Sequence, residues 1–160
     1  MKKKINNKNY VNMLISKSNL MIGDIINSPK DLKRMKVIEI KEKTVTLVSL
    51  DQKERSERPY EELEPLVIFD DRILKALGFV KRDITINREQ VSDYIVQLFD
   101  KDNKFFTITV TTAEPGKYQT TISNSNHEQI GKGVFASTHE LQNIVRACTQ
   151  LELNININSL

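Results

Sequence analysis

Apolar and polar residues follow a clear helical period near the C-terminal end of this chain. Four apolar residues recur there at intervals of three and four positions: Leu141, Ile144, Val145 and Cys148. Such a stripe is typical of one face of an α-helix. Ser137 and Glu140 have the spacing of a capping box, in which two side chains satisfy backbone amides of the first turn. The pattern predicts a helix over residues 137–148 that needs an apolar surface to pack against.

Short strand-like runs precede this helix, and in residues 19–69 they are separated by charged or Gly- and Pro-containing turns. The strongest run is Thr44–Leu50, where β-branched residues are frequent. Arg55–Arg58 is polar enough for an edge strand, and Pro59–Leu63 predicts one helical turn with proline at its start. Several short strands that end in a single helical turn predict an SH3-like small β-barrel.

A short joining helix is predicted over residues 70–79. Its apolar face consists of Ile73, Leu74 and Leu77. Gly78 is expected to end the helix, and Phe79 is expected to pack on whatever the helix covers.

Strand signals return in residues 80–160, where Phe106, Ile108 and Val110 alternate with threonines. These runs predict an antiparallel β-meander whose inner face is covered by the C-terminal helix. The outer face is predicted to carry five threonines: Thr107, Thr109, Thr111, Thr120 and Thr121. Such a face can bind a partner without strong charge, or it can be only a soluble outer face. The predicted fold class is therefore α+β, with an SH3-like small barrel followed by this helix-covered meander.

The residues after the helix alternate strictly between apolar and polar over 151–158. This pattern predicts a β-like tail, for which three alternatives remain open: return to the chain's own sheet, contact with another molecule, or disorder. Ile155 and Ile157 are the candidate partner contacts on this tail.

A basic arm is predicted over residues 1–18, which contain five lysines and no acidic residue. The whole chain carries a net charge of +3, so the remaining residues sum to −2. The arm is either a solvated segment or one that becomes ordered on a polyanion or a neighbouring subunit. Its candidate contact residues are Lys2, Lys3, Lys4, Lys8, Tyr10 and Lys17.

Composition indicates a folded, soluble protein, since 39% of the residues are hydrophobic and 28% are charged. The single cysteine excludes an internal disulfide and suits a reducing compartment. No apolar run approaches the ~20 residues that span a bilayer, and the N-terminus lacks the pattern of a secretory signal. We therefore expect no membrane partner.

No convincing catalytic, metal or cofactor site is apparent. His139 and Glu140 resemble the start of the zinc motif H-E-x-x-H, but Asn143 stands where the second histidine is required. Cys148 lies on the apolar stripe, where a cysteine behaves as a small hydrophobe. The acidic residues of 61–71 predict a solvated face, and Gly131-x-Gly133 is expected to free the backbone for a turn. A weak nucleic-acid patch is conceivable at one end of a hairpin, formed by four residues: Lys104, Phe105, Lys117 and Tyr118.

The helix carries a resemblance. Thr138–Asn143, followed by Leu151–Leu153, resembles the H-[EQ]-L-Q-N motif of small uncharacterised proteins from phages and prophages of Bacteroides-type gut bacteria. The likeness extends in outline over residues 20–153, although Gln150 stands where that group usually has glycine. It implies a phage-associated accessory or virion protein located in the bacterial cytoplasm or the virion, and it implies no activity.

These observations predict a non-enzymatic protein–protein interaction module that requires no cofactor. A protein partner or self-association is expected. The alternative is a nucleic-acid-binding accessory protein that uses the lysine-rich arm.

Overall fold

The computed structural model describes residue 15 and residues 17–27, 33–66 and 71–156. This part of the chain forms two antiparallel sheets and two α-helices, which confirms the α+β class. The strands are β1 (Ile25–Asn27), β2 (Arg34–Ile40), β3 (Thr44–Ser49), β4 (Arg55–Pro59), β5 (Glu64–Pro65), β6 (Val80–Ile86), β7 (Glu89–Phe99), β8 (Phe105–Glu114), β9 (Lys117–Ser123) and β10 (Gln129–Phe135). The helices are α1 (Asp71–Ala76) and α2 (Thr138–Thr149), and short 3-10 helices occupy Lys17–Asn19 and Tyr60–Glu62.

The first sheet has the strand order β4-β3-β2-β1-β5 and is open. As predicted, the polar strand β4 lies at one edge, and a single helical turn begins after Pro59. Strand β5 at the other edge has only two residues, and Pro65 lacks the N–H that a further ladder bond requires. The two edges do not pair with each other in the described residues, so the sheet does not close.

The inner face of this sheet encloses a small core of its own. Its buried side chains include Ile26, Met35, Val37, Val45, Leu47 and Leu63. Ile15 and Leu20 complete it from the N-terminal side, and Ile15 is only 4% exposed. One residue of the predicted arm, Ile15, therefore contributes to the core.

The second sheet is the predicted meander, with order β10-β9-β8-β7-β6. Ile108 and Val110 are fully buried on its inner face, as their alternation predicts. The prediction for Thr120 was wrong: it shares the inner face with Ile122, and both are fully buried. Strand β9 pairs with β8 so that Thr120 lies opposite Val110 and thus points to the core.

Helix α2 packs on this inner face through Leu141 and Val145, which are fully buried. Gly131 and Gly133 lie inside β10 under the helix, so the expectation that they allow a turn was wrong. A Cβ at Gly131 would overlap Cys148 Sγ, and one at Gly133 would lie 2.7 Å from Ile144 Cδ1. The two glycines are therefore required because the helix approaches the strand closely.

Helix α1 lies between the two sheets in the chain, within the predicted range 70–79. Its apolar face is buried in the same large core as α2: Ile73, Leu74 and Leu77. Gly78 ends the helix with a φ of +91°, a conformation that glycine adopts without steric cost. Phe79 then packs into this core and is 2% exposed.

The tail returns to its own chain, but residues 151–156 form no strand, so the strand prediction was wrong there. Leu153 is buried in the large core, and the Asn156 N–H donates to the Ala76 carbonyl. The Leu153 carbonyl, which a ladder would need, accepts from the Gln142 side chain instead. The alternation of apolar and polar residues in the tail thus reflects which side chains are buried. The tail backbone itself pairs with no strand in the described residues.

Candidate binding groove on the first sheet

An open groove lies on the face of the first sheet that points away from its small core. Strand register brings four residues into one row across four neighbouring strands: Ile25, Lys36, Val48 and Arg55. All four line a cavity of about 570 Å³. This volume falls within the range of ~300–1,000 Å³ that is typical of ligand sites.

Aliphatic and polar side chains contribute equally to the lining of the groove. Ile38 contributes from β2, where the register shifts between Val37 and Glu39 and inserts an extra residue. Ile38 lies two residues after Lys36 and therefore on the same face, while the bulge places the next residue, Glu39, opposite Thr46. Leu50, which follows β3, also lines the groove.

The tail forms one wall of the groove, through Asn154 and Ile155. Ile155 was predicted from the sequence as a partner contact, and it lies here partly buried against the large core. The groove is therefore built from the first sheet and from a segment more than a hundred residues later in the chain.

The charge of the groove is positive. No acidic side chain lines it in the described part of the chain, whereas Lys36 and Arg55 both do. Lys36 makes no ion pair with any described residue, and the Arg55 guanidinium lies 3.8 Å from the Glu39 carboxylate in an exposed pair. Exposed pairs of this kind are weak, so both cations remain available to an anionic ligand.

A smaller cavity of about 380 Å³ lies beside the groove, and Arg55 borders both. Its other three cations each lie near a carboxylate: Lys33 is 2.6 Å from Glu54, Lys53 is 3.6 Å from Asp51 and Arg58 is 3.6 Å from Glu62. Met35 is the single apolar residue among its described lining, so this cavity lacks the aliphatic floor of the groove.

One buried side chain fixes both sides of the groove. The Gln142 side-chain oxygen accepts from the Ile25 N–H at 2.9 Å, and its amide nitrogen donates to the Leu153 carbonyl at 2.8 Å. Ile25 lies at the end of the floor, and Leu153 directly precedes the tail wall. Gln142 is 1% exposed, so these hydrogen bonds are shielded from water.

An ion-pair network supports the same junction. Arg146 on α2 bonds Glu152 at 3.0 Å and the fully buried Asp24 at 3.3 Å. Burial raises the pKa of Asp24 to about 6, because the hydrogen bond from the Met21 N–H and the charge of Arg146 only partly offset the lost hydration. The network holds α2, the turn before β1 and the tail together.

The start of α2 has a structural role. The capping box is present, and Glu140 Oε2 accepts from the backbone N–H groups of Ala136 and Ser137 at 2.9 and 3.0 Å. Ser137 Oγ lies 3.0 Å from Nδ1 of His139, but both residues are buried and neither lines the groove. Burial lowers the pKa of His139, so the ring is neutral near pH 7.

No group of three or more His, Cys, Asp or Glu side chains that could hold a metal occurs among the described residues. Two members of the acidic stretch form ion pairs, Glu62 with Arg58 and Asp71 with Lys75. Cys148 is half-buried on the face of α2 that meets Gly131.

The predicted nucleic-acid patch is not assembled. Phe105 pairs with Phe99 at one end of β8, whereas Tyr118 pairs with Thr112 near the other end. Seven residues of an extended strand separate the two ends by roughly 23 Å. Tyr118 instead stacks on Phe135 with ring centroids 5.6 Å apart.

Most of the arm and tail residues predicted as contacts lie outside the described part of the chain: Lys2, Lys3, Lys4, Lys8, Tyr10 and Ile157. The backbone of Lys17 belongs to the first 3-10 helix. Sequence reasoning missed Lys36, Arg55 and Gln142. The alternation at Met35, Lys36 and Val37 indicates only that Lys36 lies on the face opposite to two apolar residues, and the row to which it belongs follows from strand register.

Comparison with family models, curated proteins and solved structures found no match. No helix within the described ranges is long and apolar enough to cross a membrane.

Proposed function

We propose that this protein is a non-enzymatic interaction module that binds a segment of a partner protein in the groove of the first sheet. The observation that carries this proposal is the row Ile25–Lys36–Val48–Arg55, which combines an aliphatic floor with two available cations. A mixture of apolar floor and a few orienting polar groups is typical of recognition sites.

The polar groups that suggested chemistry have structural partners, which supports a binding role. Ser137 and Glu140 cap α2, and His139 is buried beside them. The strand order β5-β1-β2-β3-β4, with a 3-10 turn before β5, supports an SH3-like description of the first unit. The resemblance at Thr138–Asn143 supports a phage-associated accessory or virion protein in the host cytoplasm or the virion.

A peptide library displayed on particles tests the proposal. Peptides selected on the native protein are counter-screened on Val48→Trp, in which an indole fills the groove floor. Gln97→Trp, at an exposed position of β7, is the matched control. We expect selected peptides to lose binding to Val48→Trp and to retain binding to Gln97→Trp. If the selected peptides bind Val48→Trp as well as they bind the native protein, their contact lies elsewhere and the groove is not the binding site.

Nucleic-acid binding through the arm is the second candidate, and its support is the run of lysines without acids in residues 1–18. Because Ile15 is buried in the first core, the informative deletion removes residues 1–14 only. If the arm binds a polyanion, the association constant falls steeply with salt and the deletion reduces the slope by several units. Unchanged binding after the deletion would reject this function.

A further inference from the structure

The chemistry of the groove specifies what kind of segment it can hold, an inference that rests on the proposed function. Lys36 and Arg55 line the groove, and no described carboxylate does. Lys36 has no carboxylate partner among the described residues, and Arg55 has only the exposed Glu39 at 3.8 Å, so the groove favours a segment that carries negative charge. Val48 lies between them in the row and presents an aliphatic surface, which favours an apolar side chain at that point.

The distance between Lys36 and Arg55 limits where the acidic residues of a bound segment can stand. Lys36 is on β2 and Arg55 on β4, so their backbones are two strand spacings apart, roughly 10 Å. In an extended peptide, side chains at positions 1, 3 and 5 share one face and span about 13 Å. The flexible stems of lysine and arginine accommodate the difference of a few ångströms. A carboxylate, an apolar side chain and a second carboxylate at alternating positions thus match the row.

Two other ligand classes fit less well. Single-stranded nucleic acid is usually held by aromatic rings that stack on the bases, and no aromatic residue lines the described groove. A small inorganic anion would leave Ile38, Val48 and Leu50 without an apolar partner.

We propose that the groove binds an extended acidic segment of a partner protein, with an apolar side chain over Val48 and a carboxylate two residues to each side of it. Lys36 and Arg55 pair with the two carboxylates, and Ile155 of the tail covers one end of the segment.

Fluorescence anisotropy with defined peptides tests this pattern on the full chain. The probe is a labelled Gly-Gly-Glu-Ser-Leu-Ser-Glu-Gly-Gly peptide, and the comparison peptide has Gln in place of both Glu residues. We expect the glutamine peptide to bind about tenfold more weakly in low salt, and the difference to shrink as salt increases. An adjacent-acid peptide, Gly-Glu-Glu-Ser-Leu-Ser-Gly-Gly-Gly, is expected to bind more weakly than the probe at equal charge.

The variants Lys36→Gln and Arg55→Gln are each expected to weaken binding of the acidic peptide about two- to fivefold, because each removes one exposed ion pair. Lys101→Gln, in the exposed turn between β7 and β8, is the charge-matched control and should leave binding unchanged. The double variant Lys36→Glu with Arg55→Glu should instead prefer a peptide with Lys at both acidic positions. Such a reversal requires a folded groove, so misfolding cannot produce it.

The outcomes separate the two proposals. If library peptides occupy the groove by the Val48→Trp criterion but the acidic and glutamine peptides bind equally, the acidic pattern is wrong and the interaction module stands. If no peptide binds and a thymidylate oligonucleotide does, in a manner sensitive to Lys36→Gln, the partner class is wrong. If Val48→Trp affects no selected peptide, both proposals fail.

Discussion

The side-chain oxygen of Gln142 accepts a hydrogen bond from the backbone N–H of Ile25, a residue 117 positions earlier in the chain. The same side chain donates to the Leu153 and Gly23 carbonyls. A single buried amide thus joins α2, the first sheet and the tail. Because an unmade buried hydrogen bond costs more than a formed one contributes, this position is sensitive to replacement.

Replacement of this amide should destabilise the protein. Gln142→Leu keeps similar volume but leaves the Ile25 N–H and the Leu153 carbonyl unsatisfied. We expect the free energy of unfolding to fall by about 2–4 kcal/mol in urea titration. Gln97→Leu, at an exposed glutamine, should change it by less than about 0.5 kcal/mol. Equal effects of the two substitutions would contradict the role assigned to Gln142.

Because β10 and α2 approach closely, we expect the stability effects of mutations at Gly131 and Cys148 to depend on each other. Gly131→Ala introduces a methyl group that overlaps Cys148 Sγ, and we expect a loss of about 1–3 kcal/mol. Cys148→Ala removes the overlapping atom, so the double variant should be less destabilised than the sum of the two single variants. A double-mutant cycle measured by urea unfolding gives this coupling directly. Simple additivity would show that the overlap with Cys148 is not the source of the cost.

Burial of Asp24 predicts a stability that falls as pH rises. Its pKa is about 6 in the folded protein against an ordinary value of 3.8, so the folded state binds this proton more tightly than the unfolded state. The stabilising contribution is complete below about pH 4 and is lost as pH passes 6. The stability of the native protein relative to Asp24→Asn should therefore fall by about 3 kcal/mol between pH 4 and pH 7.5.

Chemical denaturation of both proteins at the two pH values measures this difference. A native-minus-variant difference that is independent of pH would contradict the raised pKa.

Burial of His139 predicts the opposite pH dependence, a stability that falls as pH decreases. Burial lowers its pKa below the ordinary value of 6.5, so the unfolded state binds the proton more readily. The neutral ring is fully compatible with the fold above pH 6.5, and stability is lost as pH falls through that value. The native protein should therefore lose stability relative to His139→Gln on acidification from pH 7.5 to pH 5. NMR titration of the ring gives the pKa itself, and a value above 6.5 would overturn the prediction.

Local features of the fold were predictable because they depend on neighbouring residues. The capping box at Ser137 and Glu140, the end of α1 at Gly78 and the alternation at Ile108 and Val110 all follow from spacing alone. Each satisfies a backbone or burial requirement that nearby residues specify completely.

Features that depend on pairing between distant segments were not predictable. Thr120 was assigned to the wrong face, because its polar neighbours conceal which side of β9 meets Val110. The groove could not be anticipated from the sequence. Lys36 and Arg55 lie in one row only because each is the register partner of Val48 on the strand between them. The tail alternates like a strand. Only the position of Gln142 shows that the Leu153 carbonyl already accepts a hydrogen bond and is not available to a sheet.

The contact between Ile25 and Gln142 also orders events during synthesis. Strand β1 is made early, yet the acceptor for its first amide is supplied by a helix that leaves the ribosome more than a hundred residues later. At synthesis rates of about 5–20 residues per second, the 117 residues between Ile25 and Gln142 take roughly 6–23 seconds to make. The Ile25 N–H therefore lacks its acceptor in the nascent first sheet, and the groove is complete only after residues 142–155 have emerged.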